Sequence, residues 1–385
     1  MSSNNKKLSI ESLKSLPYVI WAPIEKKDTG KFGVTKYDPN LSYKGINLYY
    51  TENKPGGHFF DMHGNILHTF VDKTGEKSNW QFIEPYSSDS FIVIVQRETI
   101  FMIDWDSNIK WRVVGPFHHD ISIADNGDIY TLKNNNIINF NFCFTKPIRN
   151  DWLVILTKDG TLKKEISFAK MVSQNKDLLK AAKKREERRY DFGKDSWDVF
   201  HTNSIEIIDR NIFFKNRKLF KKGDVLFCIR HQNLVGVIDI EAEKIIWSWG
   251  THDLDFPHNA SLLKNGNILI FDNGFHRQYS RVIELNPVTK KIEWEYKGSP
   301  SESFFSPTRG SAQRLPNGNT LIAESDKGHV FEITNDGKIV WEFYNPEVGE
   351  FYNPDLGTNE KRRATIYRMM RIVDEGKYPK LKTLQ

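Results

Sequence analysis

The sequence predicts an all-β fold, a six-bladed β-propeller closed by its own N- and C-terminal strands, and three observations carry that prediction. The first is a tryptophan ladder, in which Trp247, Trp294 and Trp341 recur 47 residues apart. Each ends a two-strand pattern, as in Gly236-Val237-Ile238-Asp239-Ile240 followed by Ile245-Ile246-Trp247. A repeat of this period built only from strands signals a propeller. The second is turn chemistry: Pro316-Asn317-Gly318 and Asn335-Asp336-Gly337 punctuate one copy. Asn-Gly and Asp-Gly are strong hairpin signals because both central residues take positive φ. The third is the pair of chain ends. Runs near 49–52, 58–62 and 66–70 make three strands without an inner partner, and 364–371 is a strand without a hairpin. Pairing the two completes a blade and leaves no open sheet edge.

Three earlier copies complete the set, around Phe60 to Ile66, Ile103 to Trp111, and Val154 to Leu162. Each unit is expected to supply four strands and to bury its indole between neighbours, where truncation to Ala costs about 3–5 kcal/mol. The domain limits that follow are an N-terminal extension over 1–44, the propeller over 45–373 and a tail over 374–385. One segment, about 169–197, breaks the repeat. Its run 175–189 is rich in Leu, Ala, Lys, Glu and Arg, strong helix formers, which predicts a helix inserted in a loop as a solvated element or lid.

Composition narrows the function classes. The 385 residues are 39% hydrophobic and 13% aromatic, ample for one large globular domain. Net charge is +6, from 55 basic and 49 acidic residues. That mild excess favours anionic ligands without indicating nucleic acid, and no aromatic residue interleaves the basic run before Tyr190. Cys143 and Cys228 fall in different blades, so no disulfide framework or thiolate metal site is expected. The apolar stretch 18–21 is too short for a signal core or a membrane span, so a soluble, cytoplasmic protein is expected. Oligomeric state is not legible.

A second regularity sits at the start of each inner strand. The copies read His118-His119-Asp120-Ile121-Ser122, His201-Thr202-Asn203-Ser204-Ile205, His258-Asn259-Ala260-Ser261-Leu262 and Thr308-Arg309-Gly310-Ser311. Inner strands line the central channel of a propeller, so equivalent positions converge at one mouth. Four of the eleven histidines fall at this register, which marks His118, His119, His201 and His258 as a candidate site.

Phe200-His201-Thr202-Asn203-Ser204, Phe256-Pro257-His258-Asn259 with Asp272-Asn273-Gly274, and Gly310-Ser311-Ala312-Gln313-Arg314-Leu315-Pro316-Asn317-Gly318-Asn319 resemble the arylsulfotransferase family over roughly 45–346. The resemblance implies a six-bladed propeller that moves a sulfuryl group from an aryl sulfate ester to a phenol through a sulfurylated histidine. It implies no cofactor and no nucleotide sulfate donor; the partners are the two small molecules. By motif it places His201 and His258 in catalysis, and Asn259 and an arginine around the sulfuryl group; the shared register adds His119 to the catalytic candidates and Asn203 and His118 to the binding ones. That arginine is Arg277 or Arg281, with Arg309 also at the mouth. Related sequences can carry a histidine at the start where this chain has Thr308 and Arg309.

The residue types suit that chemistry. A sulfate monoester is an anion whose outer oxygens call for clustered donors. A neutral imidazole is a competent nucleophile near pH 7, and a second one protonating the phenolate, whose pKa is about 10, speeds its exit by about 10²–10⁴-fold. Two alternatives stay open on sequence. One is a catalytically silent propeller that binds an anionic or aromatic ligand. The other is a metal-assisted hydrolase or lyase using His118 or His119 with His201 and His258, although no HxH or HxxxH spacing supports it.

Overall fold

A computed structural model describes residues 20–51, 53–75, 79–137, 147–184, 197–214, 217–354, 357–373 and 380. Short apolar runs separated by Asx-Gly turns fold as antiparallel meanders, and the chain is all-β apart from short helices. Among the described residues, six sheets each contain four strands in antiparallel order. Five use consecutive chain segments, with inner strands Trp80–Ser87, Phe117–Ile123, Thr202–Ile207, His258–Leu262 and Ser311–Arg314. The sixth joins both ends of the chain in the order Arg368–Ile372, Ile46–Tyr50, Gly57–Phe60, Ile66–Phe70.

The expected pairing of chain ends is present, shifted toward the C-terminus. Ile46 pairs with Ile372 and Tyr50 with Arg368. Residues 358–364 are not available for that sheet, because Thr358–Ala364 pairs with Val348–Asn353 and with Trp21–Pro23. Arg371, fully buried, fastens the junction. Its guanidinium donates to Asn47 Oδ1 at 2.9 Å and to Tyr43 O at 2.9 Å, pairs with Glu332, and lies over Trp341.

Inner strands lie side by side in chain order, and Ser311–Arg314 lies beside Arg368–Ile372. Side chains stitch them together. Gln81 Oε1 accepts from His119 N at 2.8 Å, Asp120 Oδ2 from Ile205 N at 2.9 Å, and Ser204 Oγ from Ala260 N at 3.1 Å. Asn259 Oδ1 accepts from Ala312 N at 2.9 Å. The tryptophan ladder joins the sheets at their outer strands. Trp111, Trp247, Trp294 and Trp341 donate their indole N–H to the carbonyls of Lys158, Pro287, Asn335 and Met62 at 2.9–3.0 Å. Burial is less complete than the sequence suggests: Trp341 is fully buried, and the other three are half-buried. Those rings sit on outer strands, where each packs against the edge of the core and reaches a neighbouring turn.

The insertion holds two short helices, Phe168–Ser173 and Lys176–Lys184, rather than the single one expected. Ser167 caps the first by accepting from Lys170 N at 3.1 Å. Phe168, Ala169, Met171 and Val172 are buried, so this part belongs to the core. The rest of the expected helix, 185–189, lies outside the described residues, as do 1–19 of the N-terminal extension, all of the tail except 380, and Cys143. Within the extension, Gly33–Tyr37 adds a fifth strand beside Ile339–Tyr344. Among the described residues no helix is long and apolar enough to cross a membrane.

Candidate functional site

Three of the inner strands begin with a backbone irregularity. Pairing slips by two residues between His118 and Ile121, and by one between Thr202 and Ser204 and between His258 and Ala260. Beside these bulges His119, His201 and Asn259 take positive φ, at 66°, 54° and 42°. A bulge re-aims the side chains next to it, and strain of this kind persists only where surroundings hold it.

The re-aimed imidazoles meet. His118 and His119 touch through their Nδ1 atoms at 2.6 Å, and the His119 ring lies 5.0 Å from that of His201. His258 is close enough for its charge to bear on His119. A fifth imidazole, His231, sits 4.8 Å from His201. It follows the second strand of its sheet, Val225–Ile229, outside the repeated register, so the repeat gave no sign of it. His118, His119, His201 and His258 are buried, and the His231 side chain is 7% exposed.

Hydrogen bonds define what each ring presents. His201 Nδ1 meets Asp198 Oδ2 at 2.7 Å, and Arg149 pairs with the same carboxylate. The carboxylate only accepts, so His201 carries its proton on Nδ1. His231 likewise donates from Nδ1 to Asp198 O at 2.6 Å, and its Nε2 accepts from Arg230 at 2.8 Å. His258 Nδ1 donates to Asn273 Oδ1 at 2.8 Å. The described residues offer no hydrogen-bond partner to His258 Nε2, which leaves its lone pair open.

Electrostatics keep the rings neutral. Burial, then the charges of Arg230 and Arg309, pull His258 down to about 3. Burial with Arg149 and Arg97 takes His118 to about 3, and burial above all takes His231 to about 4. His119 and His201 are also held well below the usual imidazole value, mainly by burial. Burial pushes Asp198 up, but His201, His231 and Arg149 outweigh it and hold the carboxyl ionised. The site therefore combines uncharged imidazoles with arginines, an arrangement suited to an anion and to nucleophilic or general-base chemistry.

The remaining residues singled out on sequence divide. Arg309 is buried, pairs with Asp326 at 3.0 Å and contributes to the field on His258. Thr308 turns to the same aspartate, its Oγ1 donating at 2.7 Å. Asn203 and Asn259 bridge neighbouring sheets, Asn203 Nδ2 donating to Pro257 O at 2.8 Å and Asn259 accepting from Ala312 N. Arg277 and Arg281 both bind Asp272, at 3.0 and 2.8 Å, and Arg281 also reaches Glu295. Those bonds hold them on their own sheet, and no described contact brings them to the imidazoles. Sequence reasoning missed Asp198, Arg230, His231 and the role of Asn273, because only the register of inner strands carried a repeated signal.

One group has the composition of a metal site. Asp198, His201 and His231 each present a ligand atom within 4.8 Å of the others. Both ring nitrogens nearest the carboxylate already carry protons donated to Asp198, and Arg149 pairs with it. A cation there would displace those protons beside a guanidinium, so the donor set as arranged does not fit one.

The arylsulfotransferase (ASST) family model matches residues 96–346. No curated protein matches the chain. Among solved structures, a protein of unknown function from Bacteroides caccae aligns with a TM-score of 0.52 at 13% identity, over 85% of this chain and 98% of that one. A streptogramin B lyase aligns with a TM-score of 0.50 at 13% identity, over 91% and 97%. At such identity the likeness speaks for the fold alone, a β-propeller.

Proposed function

This chain belongs to the arylsulfotransferase family, and from that premise we propose that it transfers a sulfuryl group from an aryl sulfate ester to a phenol. The scaffold in this reading is a six-bladed propeller closed by Arg368–Ile372 against Ile46–Tyr50. The observation that carries the proposal is the open, neutral Nε2 of His258 beside the positive charges of Arg230 and Arg309. In the first half-reaction His258 Nε2 attacks sulfur, the N–S bond forms and the S–O bond to the aryl group breaks. His201, which Asp198 orients, takes up a proton from solvent on Nε2 as the anionic ester binds and gives it to the departing phenolate. In the second half the acceptor phenol gives its proton to that imidazole, its oxygen attacks sulfur and the N–S bond breaks. Arg230 and Arg309 offset the charge on the sulfuryl oxygens, the part expected of a cationic clamp.

A chromogenic aryl sulfate supplied with and without a phenol tests this. Release of the chromophore that rises with phenol supports transfer, whereas saturable binding of the ester without any release means a silent propeller. His201→Ala is expected to slow esters of high-pKa phenols far more than nitrophenyl sulfate, whose phenolate leaves unaided. Equal losses on both would remove His201 from proton transfer.

A further inference from the structure

Beyond the histidines themselves, the chain contains a group that selects which nitrogen of His258 is nucleophilic. Asn273 follows the strand Ile268–Asp272 and is fully buried. Its amide cannot be turned the other way. Nδ2 lies 2.6 Å from Ser306 O and 2.7 Å from Arg309 O, two acceptors that take both amide hydrogens. Oδ1 is therefore the atom facing His258, and a carbonyl oxygen only accepts. The second neighbour of His258 Nδ1, Phe256 O at 3.3 Å, is a carbonyl as well. Two acceptors on one nitrogen require a proton on that nitrogen, and in a neutral imidazole the lone pair is then on Nε2.

The local sequence explains why the amide stays put. Gly274 turns the chain with φ +70°, and a Cβ there would stand 1.7 Å from Tyr279 O, so no side chain fits. Ser280 Oγ donates to Asn273 O at 2.8 Å and accepts from Ser306 N at 2.9 Å, which locks the asparagine backbone to the segment carrying Arg309. Asp272, on the other side, anchors Arg277 and Arg281. One turn thus binds two arginines structurally and aims one imidazole.

We propose that Asn273 is a positioning residue that holds His258 in the Nδ1–H tautomer, presents its Nε2 lone pair to the substrate, and ties that nitrogen to the backbone position of Arg309. The chemical consequence rests on the sulfuryl-transfer reading; the tautomer does not. Burial, which already lowers the His258 pKa to about 3, keeps the ring neutral so that a tautomer exists to be selected.

The test is nitrogen NMR of the full chain labelled at histidine, with the His258 signals assigned by their loss in His258→Gln. At neutral pH the wild type is expected to show His258 protonated at Nδ1 and bare at Nε2. Asn273→Leu, of similar volume without an acceptor, is expected to lose that preference and lower aryl sulfate turnover. Asn273→Asp keeps an acceptor toward His258 and adds charge, at the loss of the two bonds to Ser306 O and Arg309 O; where it folds, it is expected to retain the tautomer and move the acid limb of the rate profile to higher pH. A wild-type His258 carrying its proton on Nε2 overturns the proposal, and so does an Asn273→Leu protein with an unchanged tautomer. If Asn273→Leu does not fold, the wild-type spectrum decides. Absence of turnover with the expected spectrum would refute the transfer reading and leave the positioning role standing.

Discussion

At the residue scale, chemistry at the candidate site depends on protons being in unusual places, and one such place lies away from the histidines. Glu206 accepts from Leu262 N at 3.2 Å on both carboxylate oxygens, and burial pushes its pKa up to about 8. A carboxyl whose folded pKa is raised binds its proton more tightly in the fold than in the unfolded chain. Its favourable contribution is present below the unfolded pKa of about 4.5 and is lost as pH rises toward 8. Glu206→Gln should therefore raise the melting temperature near pH 8 and change it little near pH 4. A variant equally stabilised at both would show that Glu206 does not titrate abnormally. Histidines work in the opposite sense. The folded pKa of His258 is depressed, so its contribution is complete above the unfolded value of 6.5 and fades as pH falls toward 3. Four of the five clustered imidazoles were legible because they share a repeated register. His231, Arg230 and Asp198 were not, since each enters from a unique loop or strand end and only three-dimensional packing brings it in.

Elements of this fold were readable where hairpin turns and alternating apolar residues coincide, and less so where tertiary contacts override them. The insertion is the clearest case. The charged run 175–189 predicted one peripheral helix, yet a further helix, Phe168–Ser173, precedes it and buries Phe168, Ala169, Met171 and Val172 against the strands of two sheets. Phe168→Ala should cost about 3–5 kcal/mol, as for a buried aromatic. Replacing 175–189 with a short Gly/Ser loop should leave the fold intact, because loop length changes closure entropy only slightly. The loss should stay within about 1.5–3 kcal/mol, the worth of burying Leu178. Chemical denaturation of both variants separates the two halves of the insertion. Comparable losses would mean that the second helix is as integral as the first.

For the molecule as a whole, one sheet joins the two ends of the described chain, pairing Arg368–Ile372 with Ile46–Tyr50. That joining was legible from an incomplete set of strands at the N-terminus, although its register was not, because residues 358–364 are drawn into an outlying sheet by Trp21–Pro23. Arg371 concentrates the junction in one side chain, bonded to Asn47 on one sheet and paired with Glu332 on another. Arg371→Leu leaves Glu332 buried without its partner and should cost about 3–5 kcal/mol. A melting temperature unchanged by that substitution would mean that the seam contributes nothing to stability. The propeller brings imidazoles from separate sheets to one place, where the proposed transfer would occur. Mass spectrometry of protein quenched during turnover of an aryl sulfate tests that assignment most directly. The expected result is a sulfuryl group on His258, lost in His258→Gln and discharged by added phenol. Turnover with the adduct on another residue, or with no adduct at all, would contradict it.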